Sequence, residues 1–360
     1  MISMKREKGM AMDILHRCLL HVFATSLVLL LGVSSAQAQE FEKNILTGSP
    51  TGTYIQFGND IANLMAECDQ TLHVVESAGS LENFLGVRKR RATQFGIVQS
   101  DVLEYLKTYS ANDPAIARAI AGVRISFPLY NEEVHLLASK GIASPANLNG
   151  KRVAVGVEDS GTFLTASLIL DLLGITPAEV HTIGPAEALE QLLADDLDGF
   201  FYVAGAPTKL FQDTRIDAER FHLVPFEDPL LQAVYVPTQI PASTYAFQTD
   251  PVPVVAVKAV LMTYEYEPRR NSYHAASCKA VSDVSNLIFT RFGDLQQNGH
   301  PKWKQVDLTD IPPGWDVSEC ANAGLAANYP LSCSSGGMEA VPDSEANSAY
   351  RQRICSVIGC

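Results

Sequence analysis

The segment TGSPTGTY, residues 47–54, combines two glycines, a proline and several hydroxyl groups between a short apolar run and a helical pattern. Gly52 would let the backbone approach a ligand closely, and Thr53 and Tyr54 would offer hydroxyl and main-chain N–H groups. The N–H groups at a helix N-terminus have no intrahelical acceptor, and the helix dipole favours negative charge there. The residue types and their spacing therefore indicate a loop that binds an anion.

Neutral polar side chains recur where other predicted strands end and helices begin. Ser80 and Asn83 follow the run LHVV, Gln99 ends the run FGIVQ, and Thr162 follows the run VAVGV. In an open parallel sheet such loops lie outside the carboxyl ends of the strands, where ligands bind. Together with the first loop, these side chains would suit a carboxylate held by neutral hydrogen bonds without a fixed cation.

Each of these residues also has a structural interpretation. Ser80 and Asn83 could cap a helix, Gly52 could serve a turn, and Tyr54 could be a core aromatic residue. Ser100 is interpreted as the N-cap of the following helix. The loops taken together are stronger evidence for a binding site than any one residue.

The elements that would position these loops repeat one pattern from residue 41 to about residue 211. An apolar β-branched run is followed by a Gly/Ser loop and then by an amphipathic run at helical spacing. Successive strand–helix units are typical of parallel sheets with helices on their faces. Val134 to Ala138 is predicted as a further strand. The sequence therefore predicts an α/β fold, and the chain length favours two domains.

The sequence lacks the phosphate loop GxxxxGK[ST], the nucleophile elbow GxSxG and the zinc motif HExxH. Asp195, Asp196 and Asp198 form a cluster, but their stretch is interpreted as a helix end and a turn. His135 is interpreted as a buried structural histidine. We therefore expect a protein that is not an enzyme and that has no cofactor and no metal site.

The charge balance limits the partners. Lys and Arg number 27 against 40 Asp and Glu, which gives a net charge of −13 at pH 7. A surface this acidic argues against nucleic acid and anionic membranes.

Cysteines are concentrated near the C-terminus. The chain has seven cysteines, and those beyond residue 38 are Cys68, Cys278, Cys320, Cys333, Cys355 and Cys360. An even number in an exported chain favours disulfides over a metal site, and their pairing stays open.

The N-terminal segment has the three parts of a cleaved secretory signal. Basic residues within positions 1–8 precede the apolar run CLLHVFATSLVLLLGV, and Ala36-Gln37-Ala38 provides a cleavage site. An uncleaved membrane anchor is the alternative, although the run is short for a bilayer span of ~20 residues. We expect residues 1–38 to be removed after Ala38 and the mature protein to be periplasmic.

The sequence resembles the solute-binding proteins of TRAP transporters, in the subgroup called TRAP-associated extracytoplasmic immunogenic, or TAXI. The resemblance lies in the phrases TGSPTGTY, AGSLENF, FGIVQSD, EEVHLLA, LNGKRVAVGVEDSGT, LGI, DGFFYVAGAP and HPKWKQVDL, in this order, over about residues 44–315. It implies a two-lobed periplasmic-binding-protein fold, type II-like, with a hinge and a ligand cleft between the lobes.

The same resemblance implies a function and a set of site residues. Ligands in the family include amino acids such as glutamate and dicarboxylates such as 2-oxoglutarate, delivered to TRAP membrane permease subunits that run on an ion gradient. The ligand contacts implied by the resemblance are Thr53, Tyr54, Ser80, Asn83, Gln99, Ser160, Gly161, Thr162 and Gly205.

These observations predict a periplasmic protein, expected to be a monomer, that captures a small carboxylate by lobe closure. Residues 39–137 and 240–318 would form lobe I, residues 138–239 lobe II, and residues 319–360 a cysteine-rich tail. The alternatives are a protein that presents its ligand to a membrane sensor kinase and an enzyme built on the same bilobal fold.

Overall fold

The structure, a computed structural model, describes residues 41–50, 52–110 and 112–331. The predicted signal segment and the cysteines Cys333, Cys355 and Cys360 lie outside these residues. Within the described part of the chain, no helix is both long enough and apolar enough to span a bilayer.

The described residues form ten β-strands in one mixed sheet, with helices on its faces. The strands are β1 Asn44–Leu46, β2 His73–Val75, β3 Thr93–Gln99, β4 Val123–Ser139, β5 Arg152–Ala154, β6 Glu179–His181, β7 Gly199–Ala204, β8 Phe221–Leu223, β9 Val236–Ile240 and β10 Val252–Tyr264. The helices are α1 Thr53–Ala66, α2 Ser80–Lys89, α3 Val102–Tyr109, α4 Pro114–Gly122, α5 Gly161–Leu172, α6 Pro185–Leu193, α7 Pro229–Val234, α8 Ser272–Thr290, α9 Phe292–Asn298 and α10 Glu319–Gly324. Short 3₁₀-helices cover Pro145–Leu148, Lys209–Gln212 and Pro301–Gln305.

The sheet order is β2-β1-β3-β10-β4-β7-β5-β6, with β8 paired to β4 and β9 paired to β10. On one side β1 is parallel to β2 and β3, and on the other side β5 is parallel to β6 and β7. The long strands β4 and β10 run antiparallel and join the two parallel portions. This is the two-lobed α/β architecture, type II-like, that the sequence predicts.

Hydrophobic periodicity explains the helices that cover the sheet. In α1 the buried residues Phe57, Ile61, Leu64 and Met65 recur at helical spacing and pack in the core of the first parallel portion. Asp113 caps α4 by accepting hydrogen bonds from the first-turn N–H groups, and a proline at the first position favours the helix start. Local sequence and burial therefore agree in these elements.

The apolar side chains of each long strand pack in one core cluster at one end of the strand and in a different core cluster at the other end. On β4 the change falls between Tyr130 and Val134, and on β10 it falls between Val257 and Ala259. The lobe limits at residues 137/138 and 239/240 stay predictions. The chain therefore crosses between the two clusters inside β4 and β10.

One local prediction was wrong, because Ser100 does not cap α3, and the residue that precedes this helix is Asp101. The strand predicted over Val134–Ala138 is confirmed as part of the longer β4, which begins at Val123. Pro128 disfavours a central strand, and β4 accommodates it beside a register irregularity in its pairing with β10.

A disulfide joins Cys278 in α8 to Cys320 in α10, in agreement with the expectation of disulfides. Cys320 and Ala321 are buried against the core of the first parallel portion. The bond and this burial therefore fix the first residues of the predicted C-terminal tail to the core.

Candidate functional site

A cavity of about 290 Å³ lies where three helices begin. Helix α1 begins at Thr53, α2 at Ser80 and α5 at Gly161, and all three residues line the cavity. First-turn N–H groups lack intrahelical acceptors, and the positive ends of the three helix dipoles point to the same space. The three helix N-termini therefore make this space favourable for negative charge.

The beginnings of α2 and α5 contact each other directly. The N–H groups of Leu81 and Glu82 donate to the carbonyl oxygen of Asp159, at 3.0 Å and 3.3 Å. Gly79 adopts a φ of +130°, and a Cβ atom there would lie 3.3 Å from the nitrogen of Gly161. Only glycine tolerates this backbone conformation easily, so the close approach of the two loops depends on Gly79.

Ser80 and Tyr54 occupy the wall contributed by lobe I. The Oγ atom of Ser80 accepts a hydrogen bond from the backbone N–H of Gln99 at 3.0 Å and lies 3.5 Å from the hydroxyl of Tyr54. Ser80 is not the N-cap of α2, because the N-cap residue is Gly79 and no side chain caps this helix. The Tyr54 ring packs in the core while the residue also lines the cavity.

Ser160 and Thr162 occupy the opposite wall. The Oγ atom of Ser160 accepts a hydrogen bond from the N–H of Phe163 at 3.1 Å, so Ser160 caps α5. The Oγ1 atom of Thr162 accepts from the N–H of Val203 in β7 at 3.1 Å. Together with Gln99, these residues line the cavity. Seven of the nine site residues implied by the resemblance thus surround one space.

Asn83 and Gly205 lie behind the cavity wall. The buried Asn83 side chain donates to the carbonyl oxygens of Thr47 and Ile97, at 2.6 Å and 2.7 Å, and accepts from the Ser77 hydroxyl at 2.7 Å. Asn83 therefore ties together the two loops that follow β1 and β2. A Cβ atom on Gly205 would lie 3.0 Å from side-chain carbons of the buried Lys302 and Tyr130, so Gly205 packs against other residues.

Replacing Asn83 by alanine is expected to lower the free energy of unfolding by at least about 2 kcal/mol, since each unsatisfied buried polar group costs ~1–3 kcal/mol. Urea unfolding would measure the loss. Asn63, exposed on α1, is the matched control, and its alanine variant should stay within about 0.5 kcal/mol of wild type. Equal effects of the two substitutions would contradict the role assigned to Asn83.

The sequence analysis missed Glu132, which lines the cavity although it is 3% exposed. Its Oε2 atom accepts a hydrogen bond from the hydroxyl of Tyr54 at 2.6 Å, and its Oε1 atom lies 3.5 Å from the hydroxyl of Tyr130. Burial raises the pKa of Glu132 to about 8. The adjacent pair Glu132-Glu133 inside an apolar strand was the available signal, since buried carboxyl groups cluster at functional sites.

A second buried carboxyl group connects the lobes. Asp101 accepts a hydrogen bond from the hydroxyl of Thr165 in α5 at 2.9 Å, and burial raises its pKa to about 6. The Thr165 hydroxyl also lies 3.2 Å from the Oε1 atom of Gln99. The hydroxyl of Tyr235 lies 3.5 Å from the same Asp101 carboxyl group. These contacts join residues of the two parallel portions beside the cavity.

His135 is a structural histidine, as predicted. It is fully buried, its Nδ1 atom lies 2.9 Å from the carbonyl oxygen of Glu133, and its Nε2 atom lies 2.8 Å from the hydroxyl of Tyr245. Burial lowers the pKa of His135 to about 4, so the ring is neutral at pH 7. Both ring nitrogens have partners, which leaves neither of them for proton transfer.

The aspartate cluster of the sequence separates into two ion pairs, Asp195 with Arg220 and Asp198 with Arg152. Over the described residues, no group of three or more His, Cys, Asp or Glu side chains is arranged to hold a metal ion.

A second chamber of about 330 Å³ adjoins the first. The two chambers share Gly52, Thr53, Tyr202 and Ala204. Lys209 and His300 are the basic residues among the described lining of the second chamber. The two spaces therefore differ in charge, since the first is lined by neutral groups and one carboxyl group.

Comparison with known families gives one match. Residues 45–276 match the model of a family described as NMT1-like. This match covers well over half of the chain and includes all the residues named for the cavity.

Solved structures with some likeness include the following three proteins. The ligand-binding component of an ABC-type import system from Staphylococcus aureus, with zinc bound, is 14% identical, with 77% of this chain and 88% of that chain covered and a TM-score of 0.45. A periplasmic transporter is 15% identical, with 73% and 89% covered and a TM-score of 0.43. The periplasmic binding protein BugD is 10% identical, with 68% and 82% covered and a TM-score of 0.39.

Proposed function

This chain belongs to the NMT1-like family, and we propose that it is an extracytoplasmic solute-binding protein that captures a small carboxylate between its two lobes. One observation carries this proposal. A cavity of about 290 Å³ lies at the convergence of three helix N-termini, and its described lining contains hydroxyl, amide and main-chain groups and the one carboxyl group of Glu132, but no Lys, Arg or His. Helix N-termini favour anions without needing a cation.

The cavity suits capture by closure, because its walls come from both sides of the long strands β4 and β10. Thr53, Tyr54 and Ser80 lie on one side, and Gly161 and Thr162 lie on the other. A ligand that contacts both sides stabilises the closed form by the difference between its affinities for the closed and open forms. The proposed hinge consists of β4 and β10, where the core changes from one cluster to the other.

The proposed partner is a membrane permease of the TRAP type, driven by an ion gradient. The TAXI-like phrases of the sequence and the N-terminal segment with signal-peptide character support this choice. The permease would recognise the closed shape of the loaded protein and receive the ligand when the lobes open.

Thermal unfolding with a panel of monocarboxylates, dicarboxylates and amino acids tests the proposal. The mature protein, residues 39–360, would first be stripped of bound ligand by partial unfolding and dialysis. A ligand at 100 times its Kd adds about 2.7 kcal/mol of stability, which should raise the Tm by several degrees. A Tm that stays constant across the whole panel would contradict carboxylate binding.

Tyr54→Phe is the matched variant for this panel. It keeps the ring in the core but removes the hydroxyl that donates to Glu132. We expect the affinity for the ligand identified by the panel to fall at least tenfold, or about 1.4 kcal/mol. Tyr273→Phe removes a hydroxyl from an exposed side chain on α8 and should leave the affinity unchanged.

A further inference from the structure

The first chamber contains one carboxyl group among otherwise neutral groups. Of the described residues that line it, Glu132 alone carries an ionisable carboxyl or amino group. The neighbouring Glu133 is already paired, because its carboxyl oxygens lie 2.6 Å and 2.9 Å from the Nζ atom of Lys302. Among the ion pairs of the described residues, Lys302 belongs to Glu133, and Glu132 has no cationic partner.

Groups from four elements surround the carboxyl group of Glu132. Tyr54 of α1 donates to it, and Tyr130 of β4 lies at hydrogen-bond range. Its pKa is lowered by a hydrogen bond from Gln99 of β3 and raised by the negative charges of Asp101 and Glu133. Tyr202 of β7 is also close enough for the Glu132 charge to raise the tyrosine pKa. Burial is the largest influence and raises the pKa of Glu132 to about 8, which favours the protonated form at pH 7.

The donors for an anion lie next to this group. The Tyr54 hydroxyl lies 2.6 Å from Glu132 and 3.5 Å from Ser80, the first residue of α2. Two hydroxyl groups and a carboxyl group thus occur within the length of one small molecule. If the carboxylate of a ligand binds at the helix N-termini, the substituents on the neighbouring α-carbon would lie toward Glu132.

We propose that Glu132 is the specificity-determining residue of this cavity and selects a carboxylate that carries a protonated nitrogen next to it, as an amino acid does. The inference rests on the proposed function and names the ligand class for the same cavity. A cation near a buried carboxyl group favours the ionised form. Glu132 therefore releases its proton to solvent when an ammonium group binds beside it, and the two charges compensate each other.

A dicarboxylate would behave in the opposite way. Its second negative charge would lie near Glu132, which has no cation to offset it, and an acidic neighbour favours the protonated form of a carboxyl group. Binding of a dicarboxylate would then leave Glu132 protonated or take up a proton. The direction of proton exchange thus separates the two ligand classes without reference to affinity.

Isothermal titration calorimetry at pH 7 on the mature protein tests this inference. The probes are pairs that differ in the nitrogen: L-glutamate and 2-oxoglutarate, L-alanine and pyruvate, L-leucine and 4-methyl-2-oxopentanoate. Titrations in buffers of different ionisation enthalpy give the number of protons exchanged. We expect the amino member of at least one pair to bind at least tenfold more tightly than its oxo partner and to release close to one proton per ligand.

Glu132→Gln has the shape of the protonated side chain and should keep the fold, which far-UV circular dichroism would verify. We expect this variant to lose both the proton release and most of the preference for the amino member. Asp283→Asn is the matched control, since Asp283 is a buried carboxyl group on α8 that does not line the cavity. It should retain the preference.

Three results would overturn the inference. These are tighter binding of the oxo acid, binding of the amino acid by wild type without proton release, and a preference that persists in Glu132→Gln. If a carboxylate raises the Tm in the thermal panel but calorimetry gives one of these three results, the proposed function stands and the role proposed for Glu132 is wrong. If no carboxylate binds in either experiment, the proposed function fails and this inference fails with it.

Discussion

Replacement of Lys302 by methionine is expected to lower the free energy of unfolding by about 3–5 kcal/mol, the usual cost of removing one partner of a buried ion pair. The side chains of Lys302 and Glu133 are 3% and 10% exposed. The ammonium group also donates to the carbonyl oxygen of Asn131 at 3.2 Å and to the side chain of Gln305 at 2.9 Å. Methionine would fill the space but leave the Glu133 carboxylate buried without its cation.

The loss should affect the connection between the lobes as well as stability. Glu133 lies on β4, where the core changes from one cluster to the other, and its carboxyl group also accepts from the N–H of Ala206 at 2.6 Å. Lys302 comes from a 3₁₀-helix near the end of the described chain. One ion pair therefore holds together the long strand, the loop after β7 and the Pro301–Gln305 turn.

Urea unfolding of Lys302→Met, Glu133→Gln and the double variant at pH 7 would measure this coupling. The double variant should be more stable than the sum of the single changes implies, because no unpaired charge remains buried in it. If Lys302→Met lowers the free energy of unfolding by less than about 1 kcal/mol, the pair would contribute no more than an exposed ion pair does. That result would contradict the buried linkage described above.

Gly161→Ala is expected to weaken ligand binding at least tenfold, or about 1.4 kcal/mol, because the added methyl group would force α5 away from the opposite cavity wall. A Cβ atom on Gly161 would lie 2.5 Å from Cδ of Gln99 and 2.7 Å from Oγ of Ser80. Both neighbours are buried. Ser80 accepts a hydrogen bond from the N–H of Gln99, and the Gln99 side chain accepts one from Thr165 of α5 across the cleft. The added Cβ atom would therefore push α5 away from these residues.

The matched control for this substitution is Gly293→Ala. Gly293 also lies in the first turn of a helix, α9, and a Cβ atom there would have no neighbour within 4 Å. Titration with the ligand identified by the panel gives the affinities, and small-angle X-ray scattering with and without ligand reports closure. Unchanged affinity in Gly161→Ala would mean that close contact between α2 and α5 is not needed for binding.

The positions of the cavity loops were predictable from the sequence because of simple rules of α/β folds. Apolar runs followed by Gly/Ser loops and helical patterns place each loop at the carboxyl end of a strand, where ligands bind in α/β folds. Thr53 and Ser80 follow strands of one parallel portion, and Thr162 follows β5 of the other. Three antiparallel pairings, β3 with β10, β10 with β4 and β4 with β7, make the two portions run in opposite directions, and this tertiary arrangement brings their carboxyl ends to one cavity.

The role of Asn83 could not be predicted in the same way. The sequence places it one turn into a helix, where it could have faced a ligand, a cap or the core. Its side chain donates to the carbonyl oxygens of Thr47, in the loop after β1, and of Ile97, on β3. The rotation of α2 about its own axis decides this orientation, and that rotation depends on packing against β1 and β3.

The sequence by itself determined the α/β class, the order of the loops and the neutral character of the residues that begin α1, α2 and α5. Tertiary structure alone decided the functions of Glu132 and Glu133. Successive side chains on a strand point to opposite faces, so one glutamate lies against Tyr54 at the cavity and the other against Lys302, 169 residues away. Which face meets the cavity and which meets the lysine depends on how distant parts of the chain pack around β4, and no local pattern encodes that packing.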